Sequence, residues 1–362
     1  MNKQSIQIAL AYMSVVIGGG FASGQEVLQF FTGYGMIGVV GTLVSGLLFA
    51  FLGMQIARMS SSMQASSHKD VLYNLFGKQA GFLVDVVLSF FLFGVGVVML
   101  AGSGSTFAEQ FGAPPLVGGA VMAALVIATL CLNVNRIVNL ISLVMPFLLA
   151  MVLIITTYSI FTSDASLTTL SEVAQAHPTI SSDWPVSHWF FGALLYASFN
   201  IAVGFPMLAV IGGMTKSYKL AGRGGILGGL GLGLLLLLLN AGLFANINHL
   251  QGIEMPTLAL ADRIHPALAV VMSISLICMI YSTAVGMFFA FGARFAAPET
   301  TRFKWFSAIF TLIGLGLGQL GFSTLIGTVY PMLGIVGLIL ILAIGVNWLR
   351  TRKQLNRAAD SI

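Results

Sequence analysis

Charge is scarce in this chain. Aspartate, glutamate, lysine and arginine make up 7% of its 362 residues, against about 25% in ordinary soluble domains. Hydrophobic residues make up 57%, so the chain cannot clothe itself in a hydrated surface, and a soluble globule is excluded. Cysteine is nearly absent as well. Cys131 and Cys278 are the only two; both lie in apolar runs, which leaves them packing roles and excludes a disulfide framework. The five histidines, His68, His177, His188, His249 and His265, fall in loops or at the ends of apolar runs, with no metal-ligand spacing among them. The many Gly-x-Gly strings lack a strand–turn–helix context and are no nucleotide fingerprint. These absences count against an enzyme, and no cofactor is expected.

Long apolar runs are what the chain does have. A membrane span needs roughly 20 apolar residues, and the runs divide into ten, at 6–32, 35–59, 81–110, 115–133, 136–160, 187–214, 220–246, 266–296, 303–320 and 322–348. The fold class is therefore an all-α polytopic membrane protein with ten transmembrane helices, the lipid bilayer being its first partner. The first run has no processing site, so no cleavable signal peptide is expected. With the N-terminus in the cytoplasm, the inner side receives every lysine and arginine except Arg263, as the positive-inside rule requires. Both termini are then cytoplasmic. The net charge of +5 follows from that topology and gives no reason to invoke nucleic acid.

The first span carries Ile-Gly-Gly-Gly-Phe-Ala-Ser-Gly-Gln-Glu from Ile17 to Glu26. Each interior glycine costs about 1 kcal/mol against alanine. An unwound backbone is tolerated in hydrocarbon only where protein or a water-lined cavity satisfies it. The stretch predicts a helix broken in mid-membrane, with free backbone groups facing a site. Glu26 is the sharpest single residue, because a carboxylate at membrane depth is costly and marks function by default. It could receive a substrate ammonium, carry a coupling proton, hydrogen-bond the loosened backbone of span 6, or serve as an outer gate. Asp85 reads as a structural partner of a cytoplasmic arginine, Glu109 as an outer-surface residue, and His68–Lys78 as a short helix on the inner membrane surface. A tight turn at Asn133–Arg136 joins spans 4 and 5.

Residues 9–21 and 193–205 share Ala9/Ala193, Leu10/Leu194, Tyr12/Tyr196, Ser14/Ser198, Ile17/Ile201, Gly20/Gly204 and Phe21/Phe205. The same offset carries spans 2 to 5 onto spans 7 to 10. A five-span unit has an odd number of crossings, so its second copy is inverted. The predicted organisation is a first repeat at 1–161, an extracellular loop at 162–186, a second repeat at 187–349 and a cytoplasmic tail at 350–362. Matching interrupted segments in two such halves point to a transporter's binding site. Span 6 has breakers of its own in Asn200, Gly204 and Pro206, so it too is predicted to be discontinuous.

An inverted five-plus-five repeat with broken first and sixth spans resembles the LeuT-type fold of the amino acid–polyamine–organocation superfamily. The string Gly18 to Glu26 and the length resemble the YkvI-like bacterial membrane proteins. The resemblance implies a bacterial inner-membrane carrier in which spans 1, 2, 6 and 7 rock against spans 3, 4, 8 and 9. It also implies a sodium site made by the Ser14, Ile17 and Met279 carbonyls and the Ser282 and Thr283 hydroxyls. A carbonyl at i and hydroxyls at i+3 and i+4 do share a helix face, although such hydroxyls also bond back to their own helix.

For the substrate, free N–H groups at Gly18, Gly19 and Gly20 suit a carboxylate. Span 6 offers carbonyls and an amide at Ser198, Phe199 and Asn200 for an ammonium or hydroxyl. Phe21, Phe199 and Phe93 could wall the site. These parts fit a small zwitterion, an amino acid or close relative. A proton-coupled carrier of another metabolite and a solute sensor of the same fold remain the alternatives.

Overall fold

Every apolar run is helical where it is described, as expected where no water can bond a free backbone. The computed structural model describes residues 3–132, 145–162, 166–175 and 188–360. The first run is split into α1 (Lys3–Val16), α2 (Gly19–Ser23) and α3 (Gln25–Phe30). Next come α4 (Met36–Met63), α5 (His68–Phe111), α6 (Pro115–Leu130), α7 (Met145–Phe161) and α8 (Leu167–Gln175). The second half holds α9 (Trp189–Met214), α10 (Tyr218–Ala245), α11 (Pro256–Ile264), α12 (Pro266–Gly292), α13 (Thr301–Gly318) and α14 (Phe322–Asp360). Helices α4, α5, α9, α10, α12 and α14 are long and apolar enough to cross a membrane, and α6 and α7 contain shorter apolar helices. The described residues contain no strand. Within α5 the backbone leaves helical geometry at Gly77, φ 76° and ψ 172°. A residue with a Cβ resists that positive φ, and the glycine turns the chain from the short helix after His68 into span 3.

The helices pack as two groups. One joins α1, α4, α9 and α10; the other joins α5, α6, α12 and α13, while α14 packs on α9 and on α5. The closest seam is α4 against α10. Gly225, Gly229 and Gly233 line one side of α10 at intervals of four residues and meet Gly53, Ala50 and Gly46 of α4. Small residues at such spacing let two backbones touch, which replaces the hydrophobic driving force that lipid does not supply.

The two membrane faces are held by different chemistry. On the lysine-rich face, Ser5 Oγ donates to the Leu220 carbonyl at 3.0 Å and Ser61 Oγ donates to the Thr215 carbonyl at 2.6 Å. On the same face Arg294 clasps Asp85: its Nη1 donates to Oδ2 at 2.6 Å, its Nη2 to the Asp85 carbonyl at 2.7 Å and its Nε to Ser89 Oγ at 2.5 Å. His68 joins Asp85 at 3.0 Å and Lys69 approaches at 3.9 Å. Asp85 is thus the structural partner of an arginine, as the sequence implied, and it ties the helix after His68 to the end of α12.

One expectation is corrected. Span 6 is not discontinuous: α9 runs unbroken from Trp189 to Met214 with Pro206 inside it. The polar side chains near the expected break bond to the helix itself. Asn200 Nδ2 donates to the Tyr196 carbonyl at 3.0 Å, and Ser198 Oγ donates to the Leu195 carbonyl at 2.8 Å. A single proline deletes one ladder bond, and neighbouring helices tolerate that in a membrane bundle. The basic tail is also helical, because α14 continues to Asp360 through a stretch without proline or glycine. The Asn133–Arg136 turn and most of the 162–186 loop lie outside the described residues.

Candidate functional site

The site is built by the interruption of the first span. α1 stops at Val16, Gly18 is extended at φ −105° and ψ −175°, and the helix restarts at Gly19. A second interruption follows at Gly24, whose φ of 81° is left-handed and favours glycine. The unwound part is therefore Ile17–Gly18 and Gly24, and Gly19 and Gly20 are helical. Their lack of a side chain serves close approach instead. A Cβ on Gly19 would lie 2.7 Å from Ile280 Cγ1 and 2.8 Å from Met99 Sδ, and one on Gly20 would collide with Glu26 Oε1.

Glu26 lies on α3 with 4% of its surface exposed. Its carboxyl folds back over α2 at Gly20 and is hydrogen-bonded to the Tyr330 hydroxyl of α14. The Tyr330 ring faces Phe199 at 4.8 Å between centroids, and Phe199 meets Tyr196 at 5.1 Å and Phe30 at 5.5 Å. Phe21 is buried on α2. The structure thus gathers Gly19, Gly20, Phe21, Glu26 and Phe199 around the break. Ser198 and Asn200 lie on the same helix as Phe199, yet their side chains are engaged: Ser198 also donates to the Gly334 carbonyl at 2.7 Å.

Phe93 does not join this group. Its ring packs against Phe288, Phe291 and Phe310 at 6.1, 5.3 and 5.6 Å, so it belongs to the aromatic seam between α5, α12 and α13. The reason is helical phase: on α5 it is Met99 that reaches the break, its Sδ lying 2.8 Å from the Cβ position of Gly19.

The residues expected to hold sodium are split between two helices. Thr283 of α12 stands at the break, its Oγ1 accepting the Gly19 N–H at 3.3 Å and lying 3.5 Å from the Cβ position of Gly18. Ser282 Oγ donates to the Met279 carbonyl at 2.9 Å. Ile17 is buried and bonds back to Met13. Ser14 is exposed. α1 packs on α9 and α10, whereas α2 packs on α12, α5 and α11. Along one side of α1, Leu10 and Ser14 are exposed and Gly18 is half-buried, while on α12 Thr283 and Gly286 are half-buried and nothing lies within 4 Å of the Gly286 Cβ position. Ser14→Cys, at an exposed position of α1, should accordingly react with a maleimide in the detergent-extracted protein, whereas Ser23→Cys, wholly buried, should not; equal labelling of the two would contradict this difference in burial.

The opposite face is closed by a polar network that sequence reasoning missed. Gln25 and Gln29 both donate to Ser323 Oγ, at 2.8 and 2.9 Å, and the Ser323 N–H donates to Glu254 at 3.2 Å. Ser105 also bonds Glu254. Thr257 of α11 donates to the Ala22 carbonyl at 2.6 Å. One signal was available: Gln25, Glu26 and Gln29 are three polar residues within the apolar first run. No pattern in sequence marked Ser323 or Tyr330 as their partners.

No family model matches the chain. The uncharacterized membrane protein YkvI of Bacillus subtilis is 26% identical over 341 residues, covering 92% of this chain and 93% of its own length. YyaD of the same organism, also described as uncharacterized, is 27% identical over 341 residues, with 92% and 94% covered. Among solved structures, inward-facing Mhp1 matches with a TM-score of 0.67 at 14% identity, over 92% of this chain and 73% of that one. MhsT in complex with L-phenylalanine matches at 0.63 and 16%, over 93% and 88%. A substrate-bound, outward-open Na+-coupled sialic acid symporter matches at 0.58 and 15%, over 94% and 78%. The chain is similar to YkvI and YyaD along nearly its whole length and has the LeuT-type fold of these solved structures.

Proposed function

We propose that this protein is a secondary active transporter of a bacterial cytoplasmic membrane. It carries a small solute bearing an amino group, an amino acid or related zwitterion, by alternating access coupled to sodium. The observation that carries the reading is the interrupted first span, with Gly18 and Gly19 against Thr283 and the buried Glu26 beside Gly20. Half-helix ends and irregular backbone at membrane depth are how such folds build solute and ion sites. The two repeats at 1–161 and 187–349 supply the two packing groups, which rock about the break.

Sodium binding follows from the closure of α1. The carbonyl end of α1 carries the negative end of its dipole. Brought toward α12, the Ser14 and Ile17 carbonyls would meet Thr283, Ser282 and the Met279 carbonyl, all on one face of α12. Hard oxygen ligands suit a hard cation. The Na+-coupled symporter among the structural neighbours supports this reading by analogy of fold.

Reconstitution tests it. An inward sodium gradient should drive uptake of at least one amino acid into proteoliposomes. Ser282→Ala with Thr283→Ala, which removes two of the proposed oxygens, should lower sodium-stimulated uptake by about tenfold or more. The folded protein should keep its yield. Uptake that ignores sodium and is unchanged in the double variant overturns the coupling. Binding without any uptake overturns the carrier in favour of a sensor.

A further inference from the structure

The ammonium of an amino-bearing solute needs an acceptor, and span 6 offers only neutral ones. Ser198 and Asn200 donate their side-chain hydrogens to carbonyls of their own and a neighbouring helix. Glu26 is differently placed. Its residue is 4% exposed, and all the ion pairs among the described residues gather on Asp85 instead. The Tyr330 hydroxyl is its hydrogen-bond partner. A phenol can donate to a carboxylate or accept from a carboxylic acid, so this partner serves both forms of Glu26. The Tyr330 ring packs on Phe199, which in turn meets Tyr196, and aromatic faces attract a cation.

A buried, uncompensated carboxylate is expensive, and a bound proton or a bound cation would each remove that cost. We propose that Glu26 is a shared site for a proton and for the solute's cationic amino group, so that each displaces the other. On binding, the O–H bond of the Glu26 carboxyl breaks, the proton passes to water, and the ammonium N–H groups bond the carboxylate. The ammonium takes the proton's place against the carboxylate, and solute is exchanged for one proton.

The position of the carboxyl makes the exchange specific. It covers Gly20 on the short α2, where a solute carboxylate placed on the glycine backbone would meet it. A solute is therefore held by its amino group on Glu26, with any carboxylate turned toward Gly18 and Thr283. The titratable groups facing Glu26 are the phenols of Tyr330 on α14 and Tyr196 on α9. α2 contains no titratable residue, and those of α10, Tyr218, Lys219 and Arg223, all lie near its start, far from Asn240, which meets Thr32 just beyond α3. The inference rests on the reading that the solute bears an amino group.

The test uses the full-length protein in detergent. The probes are the proteinogenic L-amino acids, 3-methylbutylamine and 2-phenylethylamine, first screened by thermal stabilisation. For a stabilising probe, apparent affinity should tighten about tenfold per pH unit while Glu26 is protonated in the empty site, and a pH indicator in weak buffer should register about one proton released per probe bound. Glu26→Gln should bind more weakly, with no pH dependence and no proton release. Three results overturn the proposal: wild-type binding without proton release, an unchanged pH profile in the glutamine variant, or no stabilisation by any amine-bearing probe. The proton count is made on the wild-type protein, so it decides the matter even where Glu26→Gln fails to fold. Proton release on binding without uptake into proteoliposomes supports the Glu26 site while removing the carrier reading.

Discussion

Gly229→Val should abolish the folded protein. A Cβ at Gly229 collides with the backbone N and Cα of Ala50, and backbone cannot swing aside as a flexible side chain can. Gly225 makes the same kind of contact with the backbone of Gly53, and Gly233 with that of Gly46, so the whole α4–α10 seam would have to part. Opening it forfeits close packing along two long helices, the main attraction between helices in lipid. The expected loss exceeds about 4 kcal/mol. The measurement is monodisperse yield after detergent extraction, followed by resistance to unfolding by sodium dodecyl sulfate. Leu234→Val, at a position 58% exposed, is the matched control and should behave as wild type. Near-normal yield of Gly229→Val would mean that α4 and α10 are not in contact.

The second large effect is expected at Arg294. The Asp85 side chain is 2% exposed and that of Arg294 20%, so the pair is largely withdrawn from water. Removing one partner of a buried pair costs about 3 to 5 kcal/mol, because it strands the other charge. Arg294→Ala should fall at the lower end, since His68 at 3.0 Å and Lys69 at 3.9 Å still face Asp85. Adding Asp85→Ala to Arg294→Ala should restore a large part of the loss, with a coupling of about 1 to 3 kcal/mol in a double-mutant cycle. Unfolding in a graded mixture of sodium dodecyl sulfate and mild detergent reads both numbers. Strictly additive losses would show that the two side chains do not meet.

How much of the site the sequence revealed depends on where each partner lies along the chain. The break was visible because three glycines in an apolar run violate helix propensity locally, and no distant residue is needed to see it. Glu26 stood out for the same reason. Its closing partner did not, because Tyr330 is one phenol among eight tyrosines and approaches from the far end of the chain. Phe93 was misassigned because helical phase decides which face of α5 a residue lies on. Span 6 was expected to break because its breakers were counted without the packing that tolerates one proline, or the carbonyl that Asn200 reaches on its own helix.

The sequence by itself determined the helical membrane class and the first interruption, and it marked Asp85 for an arginine. Each follows from composition, spacing or the cost of charge in hydrocarbon, all of which act residue by residue. Only the tertiary structure decided that Thr283 meets Gly19, that Gln25 and Gln29 close on Ser323, and that Glu26 rests on Gly20 under Tyr330. These depend on which helices pack and at what rotation, and ten apolar runs of similar composition do not encode that locally.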